Sequence, residues 1–199
     1  MRSQARAAPC LPSDDVGIAA AAERVAAGEV IAYPTETVYG LGADALDPVA
    51  LGRLVAIKGR ESHQPISVLV QDEAMLRRLV QEVHPAALEL ARRYWPGPLT
   101  LVLLARSGLP EPLINERGGV GVRISSDPVA AALVRAVGRP LTATSANRSG
   151  EPAAHQAQGA ALEGVTLVLD GGPRGGTPST VVEALGAELR VLRAGAVTI

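Results

Sequence analysis

The chain is poor in cysteine and in aromatic residues. Among its 199 residues Cys10 is the only cysteine, phenylalanine is absent, and aromatic side chains make up 2%. A single cysteine cannot form an internal disulfide or the cysteine cluster of a structural zinc site, so both are excluded as sources of stability. Neither is needed at this length, because folding buries about 70% of the unfolded surface.

Long apolar runs and a strong charge of either sign are also missing. No apolar stretch reaches the ~20 residues of a membrane-spanning helix, and the first 15 residues hold no apolar segment that could act as a signal peptide. We therefore expect a soluble, cytoplasmic protein with no membrane partner. The net charge of -1 gives no broad basic field, which argues against tight nonspecific binding of nucleic acid.

Lysine is nearly absent. The chain has 19 basic residues, and Lys58 is the only one that is not arginine. A composition rich in alanine, glycine and arginine explains why surface lysines are replaced, but it does not explain why one lysine is kept. An ammonium group is a compact point charge, whereas a guanidinium is a planar fork. Lys58 is therefore a candidate ligand contact.

The length predicts one domain, and we expect a flexible tail over residues 1–14 and a single domain over 15–199. Capping residues and apolar periodicity predict helices at 15–27, 48–57 and 128–137, with two more between 72 and 94. Strands are predicted at 29–33, 66–70, 99–105, 121–124, 141–144, 166–169, 180–183 and 189–192. Because the strands are not each followed by a helix, the pattern indicates an α/β fold with a twisted mixed sheet flanked by helices.

Polar and glycine-rich residues concentrate in four segments after or within predicted strands. These segments are PTETVYGLG (34–42), KGRESHQP (58–65), TATSANRSG (142–150) and DGGPRGGTPST (170–180). A single loop of this kind is usually a solvated turn. Four of them at strand ends, three with a basic residue, indicate a binding site.

The composition of these segments favours a small anionic ligand. The standard phosphate-loop, dinucleotide, hydrolase and metal signatures are absent. Lys58 and Arg60 lie two residues apart and could contact one phosphate-rich ligand as a point charge and a fork. Arg123 stands in an apolar strand, where a guanidinium needs a carboxylate or phosphate partner. Neutral hydrogen bonds could come from Thr35, Thr37, Thr144, Ser145, Ser179, Thr180 and the amide of Asn147.

A co-linear set of motifs resembles the YrdC-type threonylcarbamoyl-adenylate synthases. The set consists of PTETVYGLG, KGR at 58–60, Pro65, PGPLT at 96–100, VRI at 122–124, TSANRSG at 144–150, PSTVV at 178–182 and LRAG at 192–195. The resemblance runs from about residue 16 to the C-terminus and looks like the short, single-domain form. It implies a twisted mixed sheet with a concave, positively charged cavity.

The resemblance also implies an activity. Members of that family condense L-threonine, bicarbonate and ATP to threonylcarbamoyl-AMP and pyrophosphate, with Mg²⁺ accompanying ATP. A downstream transferase complex then modifies tRNAs that read ANN codons, and tRNA itself is a possible partner. The chain would therefore be an L-threonylcarbamoyladenylate synthase, a nucleotidyltransferase.

Site residues follow from the same resemblance, position by position. Lys58 and Arg60 match a KxR motif and would be catalytic and hold nucleotide phosphates. Nucleotide contacts would also come from Ser145 and Asn147 of an SxN motif and from Arg193. Threonine would be bound by Thr35, Arg123, Ser145 and Ser179, with Arg123 on its carboxylate. The resemblance assigns no metal ligands.

Two positions depart from the family pattern. Glu61 stands where a proline commonly follows the KxR motif, and Leu69 stands where some members have a histidine that contacts threonine. The alternative function is a noncatalytic module that binds tRNA or double-stranded RNA. The near-neutral net charge argues against that alternative, because affinity for RNA grows with the number of phosphates neutralised.

Overall fold

A computed structural model describes residues 8–59 and 65–199. Within these residues the helices are α1 (Asp15–Ala26), α2 (Pro48–Lys58), α3 (Glu73–Leu76), α4 (Pro85–Tyr94), α5 (Pro128–Val137) and α6 (Ala157–Ala160). Local capping fixes most of their starts. The side chains of Asp14, Asp47 and Asp127 accept hydrogen bonds from backbone N–H groups in the first turns of α1, α2 and α5.

The described residues form eleven strands in two sheets. In chain order they are β1 (Cys10–Pro12), β2 (Ile31–Tyr33), β3 (Gly40–Gly42), β4 (Val68–Leu69), β5 (Leu99–Leu104), β6 (Gly119–Arg123), β7 (Leu141–Thr142), β8 (Thr144–Ser145), β9 (Leu167–Asp170), β10 (Thr180–Glu183) and β11 (Arg190–Arg193). One sheet has the order β1-β9-β2-β3-β8, and the other has the order β11-β10-β5-β6-β4-β7. Both contain parallel and antiparallel pairs, which confirms the predicted mixed α/β fold.

Two expectations about the chain's organisation need correction. The tail predicted over residues 1–14 includes β1, whose residues Cys10–Pro12 pair in parallel with β9. This pairing uses backbone groups, so it leaves no periodic signal in the side chains. The predicted strand at 141–144 is two strands in different sheets, because β7 pairs with β4 while β8 pairs with β3.

The core is built largely from small and branched aliphatic side chains. Helix α1 packs on α5 and on β9. Ala21 and Val25 of α1 and Ala130 and Leu133 of α5 are almost completely buried at these contacts. Alanine lets helices approach closely, so this core needs few aromatic side chains. No helix in the described part of the chain is long and apolar enough to cross a membrane.

Candidate active site

A cavity of about 260 Å³ is lined by segments from both sheets. The loop after β2, together with β3 and β8, contributes from the five-stranded sheet, and β5, β6 and β11 contribute from the six-stranded sheet. Its polar side chains come from Thr35, Thr37, Tyr39, Ser67, Thr100, Arg123, Thr144, Ser145, Ser179 and Arg193. The four polar segments of the sequence are therefore joined at one place, as far as their described residues show.

A glycine of β6 makes room for two polar side chains of the cavity wall. Residues that alternate along a strand face the same side, so Gly119, Gly121 and Arg123 share one face. A Cβ atom at Gly121 would lie 2.9 Å from Ser67 Oγ and 3.4 Å from Thr100 Cγ2. Glycine at this position therefore leaves the space in which Ser67 and Thr100 line the cavity.

Hydroxyl groups meet in two pairs on the cavity wall. Thr35 Oγ1 lies 3.0 Å from Thr37 Oγ1 and donates to the carbonyl oxygen of Val38 at 2.6 Å. Across the cavity, Thr100 Oγ1 lies 3.1 Å from Ser179 Oγ. These hydroxyls are neutral groups that both donate and accept hydrogen bonds, which suits a small polar molecule.

Arg123 is buried and has a carboxylate partner. Its side chain is 7% exposed, and Nη1 lies 3.2 Å from Oε1 of Glu36, which is 15% exposed. The other oxygen of Glu36 accepts a hydrogen bond from Ser125 Oγ at 2.5 Å. The sequence argument required an anionic partner for this arginine, and within the chain that partner is Glu36.

A second guanidinium faces the same cavity from β11. Arg193 donates from Nε and Nη2 to the carbonyl oxygen of Ser179, at 3.0 and 2.8 Å, and from Nη2 to Ser179 Oγ at 3.0 Å. Burial, and to a smaller extent the positive charge of Arg123, lowers the pKa of Arg193. Two guanidinium groups that act on each other in a partly buried cavity favour the binding of an anion.

Lys58 lies at the C-terminal end of α2 and is almost completely buried, with 2% exposed. Its ammonium group donates to the carbonyl oxygen of Ser145 at 2.7 Å and to Asn147 Oδ1 at 2.9 Å. Asn147 Oδ1 also accepts from Ser145 Oγ at 2.5 Å. A cation is favoured at a helix C-terminus, and this network connects the lysine to two residues of the TSANRSG segment.

A larger cavity of about 810 Å³ adjoins the first, and Pro65 lines both. Half of its lining residues are apolar, among them Val55, Leu109, Ile114 and Leu192. Its polar end is built around Glu183, which is 4% exposed and pairs with Arg117 and, at 3.3 Å, with Arg190.

The structure brings together most of the residues that the resemblance assigned to the site. Thr35, Arg123, Ser145, Ser179 and Arg193 line the smaller cavity, and Lys58 and Asn147 contact Ser145 directly. Arg60 lies outside the described residues. The individual roles given to these side chains, and the net positive charge of the cavity, stay predictions.

One further candidate and one position that departs from the family pattern lie elsewhere. Thr180 is buried and donates to the carbonyl oxygen of Val197 at 2.6 Å, so its hydroxyl holds the C-terminal segment. Leu69, at the position of the family's histidine, is fully buried in β4 and is not among the lining residues of the smaller cavity.

Four polar residues at the cavity were not singled out from the sequence. Tyr39, Ser67 and Thr100 line it, and Glu36 holds Arg123. Thr100 could have been found, because it follows the PGP turn as the second residue of an otherwise aliphatic strand. Ser67 had no such signal. Glu36 stands in the PTETVYGLG segment, but its contact with Arg123 depends on pairing between distant segments and could not be predicted from that segment.

Metal ligands are not grouped in the described part of the chain. No set of three or more histidine, cysteine, aspartate or glutamate side chains there could hold a metal ion. The expected Mg²⁺, which enters with ATP, stays a prediction.

Fold and cavity together describe an α/β protein with a site suited to a small anionic molecule. Residues 23–195 match the model of the Sua5/YciO/YrdC family, whose description reads telomere recombination. This match covers more than half of the chain, so the chain belongs to the Sua5/YciO/YrdC family.

Relatives with assigned activities match over most of the chain. A Mycobacterium tuberculosis (strain H37Rv) protein is 40% identical over 186 residues, which are 92% of this chain and 85% of that protein. The threonylcarbamoyl-AMP synthase of Bacillus subtilis (strain 168) is 38% identical over 94% of this chain. The chain spans 56% of the length of that enzyme.

A solved structure with a ligand shows the same fold. Sua5 of P. abyssi, crystallised in complex with L-threonine, superposes with a TM-score of 0.87 and 34% sequence identity. The match covers 94% of this chain and 57% of the Sua5 chain. The predicted fold and family are therefore confirmed.

Proposed function

We propose that this chain condenses L-threonine, bicarbonate and ATP to threonylcarbamoyl-AMP and releases pyrophosphate. The observation that carries the proposal is a cavity in which hydroxyl pairs, two guanidinium groups and the Lys58 network meet, in a chain 38% identical to a threonylcarbamoyl-AMP synthase. The names of the relatives support a synthase and give no support to a noncatalytic RNA-binding module.

Threonine would occupy the smaller cavity. Arg123 would bind its carboxylate, because a guanidinium carries five N–H donors and Glu36 contacts it at Nη1. The hydroxyls of Thr35 and Ser179 would bind the threonine hydroxyl. The complex of P. abyssi Sua5 with L-threonine supports a small-molecule substrate of this class.

ATP would place its phosphates between Lys58 and Arg193. Ser145 and Asn147 hold the Lys58 ammonium group, and Arg193 faces the cavity from β11. Arg60, by the resemblance, would add a second phosphate contact. Mg²⁺ that enters with ATP would supply further neutralisation of phosphate charge.

The reaction then requires positioning and charge neutralisation from the protein. The threonine nitrogen bonds to the bicarbonate carbon and water is lost, which gives a carbamate. A carbamate oxygen bonds to the α-phosphorus, and the bond from that phosphorus to the pyrophosphate oxygen breaks. Lys58 and Arg193 would stabilise the negative charge that develops on the phosphates, while Arg123 and the hydroxyls hold threonine in line.

The biological context belongs to the same proposal. The product is a mixed anhydride that a downstream transferase complex uses to modify tRNA, and we place this chemistry in the cytoplasm. Direct binding of tRNA by this chain is part of the same proposal.

A pyrophosphate-release assay with ATP and bicarbonate against a panel of amino acids tests the proposal. We expect release with threonine, with threonylcarbamoyl-AMP identified by mass spectrometry. No release with any amino acid, combined with RNA affinity that falls steeply with salt, would replace the synthase with the RNA-binding alternative.

A further inference from the structure

Glu36 has no part in the reaction proposed above, yet its position is unusual. It lies on the loop after β2, between Thr35 and Thr37, which both line the smaller cavity. Its carboxylate does not contact that loop's hydroxyls but reaches the end of β6, where it meets Arg123 and Ser125.

The contacts of Glu36 connect the two walls of the cavity. Thr35 and Thr37 follow a strand of the five-stranded sheet, whereas Arg123 ends a strand of the six-stranded sheet. Oε1 of Glu36 lies 3.2 Å from Arg123 Nη1, and Oε2 accepts from Ser125 Oγ at 2.5 Å. One side chain therefore fixes the distance between the hydroxyl wall and the cationic wall.

Burial makes this connection strong. Arg123 and Glu36 are 7% and 15% exposed, so water screens their attraction little. Glu36 Oε1 is itself buried and makes no hydrogen bond within the described residues. Its ion pair with Arg123 therefore compensates the cost of burying this charged oxygen. Removing one partner of such a pair leaves an uncompensated charge, which drives the other partner to a new position.

The remaining charges around Arg123 do not substitute for Glu36. Arg193 faces the same cavity with a positive charge. Asp127 is engaged by Arg174 at 3.2 Å and caps α5 through its other oxygen. Without Glu36, the Arg123 guanidinium would lose the carboxylate that holds it.

We propose that Glu36 is a positioning residue for threonine, which holds the Arg123 guanidinium at a fixed distance from the Thr35 and Thr37 hydroxyls. This inference rests on the proposed function, because it needs threonine in the smaller cavity. It assigns Glu36 to the affinity and selectivity for the amino acid and not to ATP.

The test measures pyrophosphate release by wild type and Glu36→Gln with threonine, serine and ATP each varied. Glutamine keeps the shape of the side chain and removes its charge. We expect the KM for threonine to rise by about tenfold, equal to ~1.4 kcal/mol. The KM for ATP should stay within about twofold, and the preference for threonine over serine should fall, because Arg123 no longer holds the substrate against the hydroxyl wall.

Asp44→Asn is the matched control. Asp44 is 4% exposed and pairs with Arg139 at 2.7 Å, so it is another buried carboxylate held by arginine. It is not among the lining residues of the smaller cavity. Its loss should lower the melting temperature without changing the KM for threonine or the preference over serine.

Ser125→Ala keeps the test decisive if Glu36→Gln does not fold. This variant removes one anchor of the Glu36 carboxylate and leaves the ion pair with Arg123 intact. We expect a smaller rise in the KM for threonine, about threefold, because a neutral hydrogen bond contributes less than a charged one.

Each outcome has one meaning. An unchanged KM for threonine in the folded variants, or an equal rise for threonine and ATP, overturns the positioning role. A lower KM for threonine also overturns it, since Glu36 would then compete with the substrate carboxylate for Arg123. If wild type itself releases no pyrophosphate with threonine, the proposed function fails and not this inference alone.

Discussion

Two groups of glutamate and arginine lie at opposite ends of the six-stranded sheet, at Arg123 on β6 and at Glu183 on β10, and they are built differently. At the end with the smaller cavity, one arginine pairs with one glutamate and both are largely buried: Arg123 is 7% exposed and Glu36 15%. At the other end the glutamate is buried: Glu183 is 4% exposed, and its partners Arg117 and Arg190 are 56% and 55% exposed.

The two groups differ in whether they leave hydrogen-bond donors for a further anion. A buried guanidinium with one carboxylate partner still has N–H donors for a second anion. A buried carboxylate between two guanidinium groups is compensated from both sides and needs no ligand. The same pair of residue types therefore leaves donors for a further anion at one end and is compensated from both sides at the other.

We expect the largest effect when the amino acid substrate lacks a hydroxyl group, which tests the hydroxyls that line the smaller cavity. Valine has the shape of threonine without its hydroxyl, so it would lose the hydrogen bonds that this hydroxyl would make to Thr35 and Ser179. We expect kcat/KM for valine to be lower by up to ~10⁴-fold, and serine to be accepted better than valine. Similar pyrophosphate release with valine and threonine would show that these hydroxyls do not bind the substrate.

The next effect compares a buried arginine with an exposed one. Arg123→Ala should weaken threonine binding by ~2 to 5 kcal/mol, as expected when one partner of a buried charge pair is lost. ATP affinity should stay nearly unchanged, and Arg117→Ala should leave threonine affinity unchanged. Separate calorimetric titrations of both ligands check this. Equal losses of affinity for threonine and for ATP would indicate that Arg123 has a structural role only.

The Glu183 end should respond in stability instead. Glu183→Gln leaves Arg117 and Arg190 without their shared carboxylate and should lower the free energy of unfolding by ~1 to 3 kcal/mol. Denaturant titration measures the loss. Threonine affinity should not change, and a weaker threonine affinity in the folded variant would contradict the separation of the two ends.

The smallest effect concerns the kind of cation at the site. Lys58→Arg should fold normally but lose activity by at least about tenfold, or ~1.4 kcal/mol, because a guanidinium is too broad for the pocket formed by Ser145 and Asn147. Steady-state pyrophosphate release measures it. Activity within about twofold of wild type would remove Lys58 from the mechanism.

Local signals predicted much of this molecule. The caps at Asp14 and Asp127 and the proline at the first turn of α2 and α5 fix helix starts, and these were found within one residue. Such signals act between neighbours in sequence. The co-linear motifs also pointed to Lys58, Ser145 and Asn147, which the structure joins in one network.

What was missed depends on pairing between distant segments. Strand β1 forms by pairing in parallel with the edge of β9, and no pattern in residues 8–12 predicts that pairing. Glu36 is one of three polar residues in a row, and only its contact with Arg123 distinguishes it from the two threonines beside it. The partner of a buried charge is determined by tertiary structure and cannot be predicted from the local spacing of residues.

The single residue between β7 and β8 has a consequence for folding. Ala143 separates Leu141–Thr142 in one sheet from Thr144–Ser145 in the other, so the chain changes sheets immediately before the residues that hold Lys58. An intermediate with only one sheet formed would lack part of the lining of the smaller cavity, which comes from both sheets. Substrates should therefore bind only the fully assembled chain and raise its unfolding free energy by mass action, which makes ligand-dependent melting a measure of complete assembly.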